Sequence, residues 1–317
     1  MEKFLVTGGA GFIGSHLADA LLAAGQGVRV LDDLSTGRRA NLDPRCELLV
    51  GDVADPAVLR AALAGVAGCF HLAAIASVAR GNADWRGTHR INQSASVAVF
   101  EAARGEGRAG ARIPVVYASS AAVYGDLGGA VATEDAPCAP LTAYGADKLG
   151  SELHAAVAWR VHGVPTLGLR FFNVYGPRQD PASPYSGVVS IFAARLARGE
   201  GLVLHGDGRQ TRDFVFVADV VAHLLAAMAH LRAAGGATVL NVCTGRASSV
   251  QDLARTLGAL VGVVPALSHG PARPGDIARS LGSPARATAT LGVAAATPLP
   301  AGLAALLDAL PEGPARR

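Results

Sequence analysis

The sequence has few of the features that mark secreted, metal-binding or membrane proteins. Its four cysteines lie far apart without a C-x-x-C pair, so neither a zinc site nor a disulfide framework is expected. No uninterrupted apolar run approaches the ~18 residues of a membrane span. Residues 1–7 lead into a glycine-rich turn without a cleavable hydrophobic stretch. We therefore expect reduced cysteines, no bound metal, and a cytoplasmic protein that does not associate with membranes.

The sequence also has few charged residues and no large excess of either sign. Only 17% of the residues are charged, 28 Lys and Arg residues nearly balance 25 Asp and Glu residues, and the formal net charge is +3. Because no block of five like charges occurs, a nucleic-acid-binding surface is not expected. Half of the 317 residues are apolar, which excludes a disordered chain and suffices for two domains or one large one.

Short apolar runs alternate with segments of helical periodicity. Phe12, Leu17 and Leu21 recur at helical spacing directly after the first apolar run. Strands that alternate with helices predict an α/β fold built on a doubly wound parallel sheet. The predicted strands are Phe4–Val6, Val28–Leu31, Cys46–Val50, Cys69–Leu72, Val115–Ala118 and Pro165–Phe172. After the last of them, the Gly/Pro/Ser-rich run NVYGPRQDPASPYSG predicts a crossing into a second domain.

A glycine-rich turn joins the first predicted strand to the first predicted helix. Residues 8–14 have the pattern G-x-x-G-x-x-G, in which bare backbone lets a pyrophosphate approach the N–H groups at a helix N-terminus. Asp32 ends the next strand, where a carboxylate can accept hydrogen bonds from ribose hydroxyls. Such a carboxylate favours NAD, although Arg38 and Arg39 follow closely and leave NADP as the alternative.

Tyr144 and Lys148 stand four residues apart and therefore share one face of a predicted helix. The sequence has only two lysines and five tyrosines, so roughly 0.03 Y-x-x-x-K pairs are expected by chance. To act as a base near neutral pH, a tyrosine must lower its pKa from ~10 to about 7, which requires about 4 kcal/mol. An ammonium ~4 Å away at an effective dielectric of ~20 would supply that amount. We therefore predict that this pair removes a proton from an alcohol during hydride transfer.

Two serines, Ser119 and Ser120, follow the predicted strand Val115–Ala118. They lie at the carboxyl edge of a parallel strand, where ligands bind to such sheets, so one of them is expected to contact the reacting oxygen. Serines after a strand are also common helix caps, and the Tyr/Lys pair favours the catalytic interpretation. The sequence has no G-x-S-x-G elbow, so a serine hydrolase is not expected.

Nine segments occur in the order found in one enzyme family. They are TGGAGFIGSHL, LDDLSTG, GDVAD, HLAA, ASSAAVYG, the Tyr144/Lys148 pair, RFFNVYGPRQDP, GDGRQTRDFVFVADV and RPGDI. Through these segments nearly the whole chain resembles the extended short-chain dehydrogenase/reductases, and among them the NAD-dependent nucleotide-sugar epimerases. The resemblance implies a Rossmann fold with tightly bound NAD and a smaller C-terminal substrate domain.

The resemblance also assigns roles to individual residues. Tyr144 would be the base, Lys148 its partner, and Ser120 the hydroxyl in contact with the reacting oxygen. Besides Tyr144 and Lys148, the residues implied to bind NAD are Gly8, Gly11, Phe12, Ile13, Gly14, Asp32, Asp33, Asp52, Val53, Leu72, Ala73, Ala74 and Asn92. The residues implied to hold the sugar nucleotide, with the arginines on its diphosphate, are Asn173, Val189, His205, Arg212, Arg273, Asp276 and Ser280.

A few positions distinguish members of this family. Enzymes that dehydrate or decarboxylate the sugar carry an acidic residue where this chain has Ala121 and Ala122, and alanine cannot supply a proton. A uronate enzyme should offer a cation in the loop where Asp180 lies. These positions favour C4 epimerisation of a neutral UDP-hexose through a transient 4-keto intermediate. A UDP-uronate 4-epimerase or decarboxylase, a net NAD-dependent nucleotide-sugar reductase, and a nucleotide-sensing module without activity are the alternatives.

The resemblance further implies interleaved domains and a dimer. Residues 1–172 and 213–244 would form the NAD-binding domain, and residues 173–212 and 245–317 the sugar-nucleotide domain. Ser280, at the family's pocket-gate position, would leave space for an N-acetylhexosamine in place of glucose or galactose. Helical patterns rich in small residues around Ser94 to Ala103 and Ala146 to Ala158 fit either a core or a dimer face. The resemblance favours a homodimer, and a UDP-sugar substrate is the other expected partner.

Overall fold

Strands and helices alternate along the chain. The structure, a computed structural model, describes residues 1–76, 81, 83–105, 111–180, 187–272 and 277–310. The strands are β1 (Lys3–Thr7), β2 (Gly27–Asp32), β3 (Glu47–Val50), β4 (Gly68–His71), β5 (Val115–Ser120), β6 (Thr166–Phe171), β7 (Asn173–Tyr175), β8 (Leu202–His205), β9 (Thr211–Phe216), β10 (Ala237–Val242), β11 (Ala247–Ser249) and β12 (Leu267–Gly270). The helices are α1 (Phe12–Ala23), α2 (Pro56–Leu63), α3 (Trp85–His89), α4 (Ala95–Ala102), α5 (Ala143–His162), α6 (Val188–Ala197), α7 (Val217–Ala234), α8 (Val250–Val261), α9 (Ala285–Leu291) and α10 (Leu299–Asp308).

A seven-stranded sheet forms the centre of the structure. Its strand order is β10-β6-β5-β4-β1-β2-β3, and every neighbouring pair is parallel. The predicted α/β fold with a doubly wound parallel sheet is thereby confirmed, and all six predicted strands lie in this sheet. The apolar runs do not predict the seventh strand, β10, which pairs with β6 so that Leu240 lies beside Leu169.

Helices cover both faces of the sheet because successive side chains along a strand point to opposite sides. On one face, Val6 of β1 shares a buried core with Leu17 of α1 and Leu224 of α7. On the other face, the neighbouring Leu5 shares a core with Val99 of α4 and with residues of α2 and α5. The carboxyl ends of the strands therefore open between two layers of helices, where ligands of such sheets bind.

Helix α7 is long and apolar enough to cross a membrane by length and composition alone. In the structure it packs against α1, β5 and β6, and its residues Leu224 and Ala227 are fully buried. It therefore serves here as a core helix of the sheet. Among the described residues, no other helix meets the same length and composition criteria.

A smaller layer of structure lies beyond β7. Strands β7, β9 and β11 form one sheet, and β8 pairs with β12. Helices α6, α8 and α10 supply Phe192, Leu253 and Leu303 to a separate buried core. The chain enters this layer after Phe172, where the Gly/Pro/Ser-rich run begins, while the two-domain boundaries themselves stay a prediction.

Candidate active site

A cleft of about 510 Å³ opens at the carboxyl ends of the central strands. It brings together fifteen of the predicted residues, from segments that are up to 140 positions apart in the sequence. They are Gly8, Gly11, Phe12, Ile13, Gly14, Asp32, Asp33, Asp52, Val53, Leu72, Ala73, Ala74 and, as the catalytic set, Ser120 with Tyr144 and Lys148.

The glycine turn forms the floor of this cleft. Gly8 has a φ of +67°, and a Cβ there would lie 2.8 Å from the backbone of Ala73. A Cβ on Gly14 would lie 2.3 Å from the carbonyl oxygen of Gly8. Helix α1 starts at Phe12 without a side-chain cap, so its first N–H groups are available to an anion. The turn therefore fits the pyrophosphate of NAD.

Asp32 is buried at the end of β2, where its carboxylate organises the loop that follows. It accepts hydrogen bonds from the backbone N–H groups of Ala10 and Leu34, each at 2.9 Å. Burial raises the pKa of Asp32, and these two hydrogen bonds oppose the effect. Each carboxylate oxygen can accept a further bond, so Asp32 can hold the loop and still accept from a ribose. Its neighbour Asp33 is exposed and bonds to Ser35.

Asp52 and Arg90 lie opposite one another at the rim of the cleft. The guanidinium Nη1 of Arg90 lies 2.8 Å from Oδ2 of Asp52, and Asp52 also accepts from the N–H of Ala54. Arg90 belongs to a π-helical turn between α3 and α4. The sequence patterns do not predict Arg90 as a site residue, because only the fold brings the turn to the end of β3.

Asn92 has a different position from the other predicted NAD residues. It is buried below the cleft, where its Oδ1 accepts from the N–H of Ile75 at 2.8 Å and its Nδ2 donates to the carbonyl of Ile75 at 3.1 Å. Ile75 follows Leu72, Ala73 and Ala74 along the cleft wall. Asn92 therefore holds the segment that lines the cleft, and its predicted support of the nicotinamide side stays a prediction.

Tyr144 and Lys148 lie one turn apart at the start of α5, which Thr142 caps by accepting from the N–H of Gly145. The Nζ atom of Lys148 lies 5.8 Å from the centroid of the Tyr144 ring. It also donates a 2.9 Å hydrogen bond to the carbonyl of Ala118 in β5. This bond fixes the ammonium between the helix and the strand that carries the serines.

The prediction that Lys148 lowers the pKa of Tyr144 toward neutrality is wrong for the protein without its cofactor. Burial raises the pKa of Tyr144, and a hydrogen bond with Ser120 opposes the increase only in part. Burial also lowers the pKa of Lys148 to about 8, against the opposing charges of Asp147 and Glu152. Taking the phenol and the ammonium out of water disfavours the charged form of each, and this cost opposes their mutual attraction.

The cap interpretation is confirmed for one of the two serines, while contact of a serine with the reacting oxygen stays a prediction. Ser120 caps the 3₁₀ turn Ala121–Val123 by accepting from the N–H of Ala122 at 3.1 Å, and its hydroxyl opposes part of the increase in the pKa of Tyr144. Ser119 lines the cleft as well, but its hydroxyl donates to the buried carboxylate of Glu152. Of the two serines, Ser120 is thus the one whose hydroxyl acts on Tyr144.

The segment after β7 folds back over the N-terminal half of the chain. His16 of α1 donates to the carbonyl of Pro177 at 2.9 Å, and Arg178 pairs with Asp19 at 2.7 Å. In the same segment Asp180 pairs with Arg38 at 2.6 Å. Arg38, one of the two cations that left NADP as an alternative, is therefore engaged by a carboxylate. The sequence patterns do not single out four further cleft residues between the end of β6 and this segment, which are Phe171, Phe172, Val174 and Gln179.

The predicted sugar-nucleotide residues are not gathered in the same cleft. Asn173 is exposed at the start of β7, whereas Val189 is buried in the smaller core. His205 bonds through Nδ1 with the carbonyl of Pro271 at 3.2 Å. Arg273 and Asp276 lie outside the described residues.

Arg212 and Ser280 lie close together at the start of β9. Arg212 donates through Nη1 to the carbonyls of Thr211 and Ile277, at 2.8 and 2.7 Å. The backbone N–H of Ser280 donates to the same Thr211 carbonyl at 3.1 Å. The contacts of these residues with a substrate stay predictions. The cleft, with its glycine turn and its Ser/Tyr/Lys set, defines an enzyme of the NAD-dependent short-chain dehydrogenase/reductase class.

Comparisons with known proteins agree with that class and narrow it. The model of the NAD dependent epimerase/dehydratase family matches residues 4–243. The UDP-glucose 4-epimerase of Mycolicibacterium smegmatis is 39% identical over 297 residues, which cover 92% of each chain. The chain belongs to the NAD dependent epimerase/dehydratase family.

Solved structures of similar proteins share the whole architecture. The UDP-glucose 4-epimerase of Thermotoga maritima, solved with UDP-glucose, superposes with a TM-score of 0.91 at 34% identity and covers 97% of this chain and 98% of its own. The UDP-glucose 4-epimerase of Thermus thermophilus, solved with NAD, has a TM-score of 0.87 at 34% identity and the same coverage of both chains. The predicted Rossmann fold with a smaller C-terminal domain is thus confirmed.

Proposed function

We propose that this protein interconverts the C4 epimers of a UDP-hexose, UDP-glucose and UDP-galactose in the first place, while NAD stays bound. The observation that carries the proposal is the convergence of Ser120, Tyr144 and Lys148 with the glycine turn in one cleft. The similarity to two UDP-glucose 4-epimerases over nearly the whole chain supports this choice of reaction.

The chemistry follows from the groups that face the cleft. NAD, when bound, supplies a hydride acceptor and a positive charge. Tyr144 takes the proton of the C4 hydroxyl and later returns it, and Ser120 holds the phenol in place. Lys148, fixed at the carbonyl of Ala118, presents an ammonium beside the phenol. Because the sugar recovers its hydride on the opposite face, the product is an epimer and no net oxidation occurs.

The nucleotide end of the substrate must stay bound while the sugar turns over. Arg212 is suited to hold a diphosphate because two backbone carbonyls fix its guanidinium. Tight binding of the UDP end allows a loosely held sugar to present either face. Arg212 therefore contributes mainly to binding, whereas Tyr144 and Ser120 act in the proton transfer.

Incubation of the pure enzyme with a panel of UDP-sugars, followed by separation of the C4 epimers, tests the proposal. We expect conversion of UDP-glucose to UDP-galactose and the reverse, without added NAD and without net formation of NADH. Conversion that requires stoichiometric NADH would instead indicate the reductase, and absence of any conversion would favour the nucleotide-sensing module.

Ser280 provides a test of sugar selectivity. We propose that the small side chain leaves space at C2, so that UDP-N-acetylglucosamine is also epimerised. In Ser280→Tyr, turnover of the N-acetyl substrate should fall at least tenfold relative to UDP-glucose, a selectivity change of about 1.4 kcal/mol. Ser280→Ala, which keeps the space, is the control. Undiminished N-acetyl turnover in Ser280→Tyr would refute this role.

We also propose that the protein is a homodimer. Leu153, Val157 and Val161 form a stripe along α5 and are 64%, 49% and 66% exposed. An adjoining groove of about 240 Å³ is lined by Val97 and Phe100 of α4, and its ionisable lining residues are Glu101, Arg104, His154 and His162. An apolar ridge next to a groove of mixed polarity can pair with a second copy about a two-fold axis.

Light scattering coupled to size exclusion tests the dimer. Leu153→Glu combined with Val157→Glu should yield a monomer, because charges would be buried in the interface. Val264→Glu, at a position that is 96% exposed elsewhere, should leave the dimer intact. A wild-type monomer, or a dimer that survives the double substitution, contradicts this interface.

The cellular location is a further proposal. Cys69 and Cys243 are buried and free, and Cys46 and Cys138 are free as well. Free thiols are usual in a reducing compartment, which supports the cytoplasm. Fractionation of cells that produce the protein would test this location.

A further inference from the structure

A buried ion pair lies beneath the catalytic residues. Glu152 of α5 and Arg170 of β6 have side chains only 7% and 5% exposed. The guanidinium donates through Nε to Oε1 at 2.9 Å and through Nη2 to Oε2 at 2.7 Å. Such a bidentate ion pair fixes the orientation of the carboxylate and satisfies much of its hydrogen-bonding capacity.

Further hydrogen bonds connect this ion pair to other strands of the sheet. Ser119 of β5 donates its hydroxyl to Glu152, and Nη1 of Arg170 donates to the phenol oxygen of Tyr124 at 2.9 Å. That phenol donates to Oδ1 of Asn241 in β10 at 2.6 Å. Glu152, Arg170 and Tyr124 have no part in the proton transfer described above, although all three lie near it.

The carboxylate of Glu152 is placed where it can act on Lys148. The two residues are four positions apart on α5 and therefore share a face of the helix. Lys148 donates to the carbonyl of Ala118, and Ser119, the next residue of β5, donates to Glu152. Lys148 and Glu152 thus hydrogen-bond to successive residues of β5, which lie just before Ser120.

We propose that Glu152, held by Arg170, is a positioning residue that keeps Lys148 protonated and keeps the end of β5 in register with α5. The proposal rests on the proposed epimerase function for its consequence in catalysis. Its electrostatic part concerns the free protein and can be measured without turnover.

Other charged groups also surround Lys148. On α5, Asp147 and Glu152 both raise the pKa of Lys148, Asp147 the more strongly. His89 of α3 pairs with Asp147 at 2.7 Å, and Arg170 pairs with Glu152. From β4, His71 is buried between Thr7 and Ser96. Burial, with the charge of Lys148, lowers the pKa of His71 to about 3, so it carries no charge near neutral pH. From β6, the paired Arg170 offsets part of the negative charge of Glu152.

Titration of a single lysine tests the proposal directly. The chain has two lysines, and Lys3 lies at the surface in an ion pair with Glu47 that arginine can maintain. In Lys3→Arg protein labelled with ε-carbon-13 lysine, one side-chain signal remains, and it should titrate near 8. Glu152→Gln should lower that midpoint by about one pH unit, because a charge one helical turn away is lost.

Two further variants complete the experiment. Asp207→Asn removes a carboxylate that is 70% exposed in the loop after β8 and should leave the midpoint in place. Glu152→Gln with Arg170→Met removes both buried charges, so that neither is left unpaired, and should lower the midpoint by less than Glu152→Gln alone, because loss of the cation offsets part of the loss of the carboxylate. This double variant decides the question if Glu152→Gln alone does not fold.

The activity of the same variants should follow the titration. The alkaline limb of the kcat/KM profile should move to lower pH together with the Lys148 midpoint. An unmoved midpoint in the variants, even with lower thermal stability, would show a structural role only and overturn the proposal. Because the titration needs no substrate, failure of the proposed epimerase activity would leave its result intact.

Discussion

Substitution of Gly8 by alanine separates two reasons for a glycine in the cofactor turn. Gly8 has a φ of +67°, and an added Cβ would lie 2.8 Å from both the N and Cα atoms of Ala73. Gly25, just after α1, has a φ of +73° and no atom within 4 Å of an added Cβ. The two positions therefore share the backbone conformation and differ in the space available.

The expected losses of stability follow from this difference. A left-handed conformation costs a non-glycine residue roughly 1–2 kcal/mol, and we expect Gly25→Ala to lose about that amount. Gly8→Ala must in addition displace the backbone after β4, at the typical overpacking cost of about 1–3 kcal/mol. At about 2 °C per kcal/mol for a chain of this size, Gly8→Ala should melt a few degrees below Gly25→Ala.

Thermal unfolding of both variants without added NAD measures the difference, and NAD titration shows whether the turn still binds its ligand. We expect Gly25→Ala to bind NAD normally and Gly8→Ala to bind it weakly. Equal melting temperatures for the two variants would refute the reasoning, because the close approach to Ala73 would then cost nothing.

Three further predictions concern the site. Tyr144→Phe should lower kcat/KM for UDP-galactose by about 10²–10⁴-fold with NAD binding retained, and unchanged activity would contradict the assignment of the base. Because burial lowers the pKa of Lys148 to about 8, the ammonium is present below that pH and lost above it, so wild-type activity should decline as pH rises through 8; a flat profile from pH 7 to 10 would contradict this. Asp32→Asn removes the charge that repels a 2′-phosphate and should narrow the preference for NAD over NADP by about tenfold, as measured by the two dissociation constants; an unaltered ratio would mean that another group selects the cofactor.

Local patterns predicted the parts of the site that depend on neighbours in the sequence. The spacing of residues 8–14 predicts the turn, and the four-residue separation of Tyr144 and Lys148 predicts their common face, because helix and turn geometry relate such residues directly. Six of the seven central strands are predicted from apolar runs, which are likewise local features of the sequence. Asp32 was predicted from its place at the end of a strand.

Such local patterns could not predict contacts between distant segments of the chain. Arg90 meets Asp52, Arg38 meets Asp180, and Arg170 meets a glutamate of α5, in each case through the packing of elements far apart in the chain. The pKa of Tyr144 was predicted in the wrong direction because burial depends on everything that surrounds the phenol.

By itself the amino-acid sequence determined the order of strands and helices, the glycine turn and the identity of the reactive side chains, since each depends on the chemistry and spacing of a few adjacent residues. Only the tertiary structure decided which charges are paired, which groups are shielded from water and which guanidinium holds Glu152. These properties are sums over many residues brought together by folding, and no short stretch of the chain contains them.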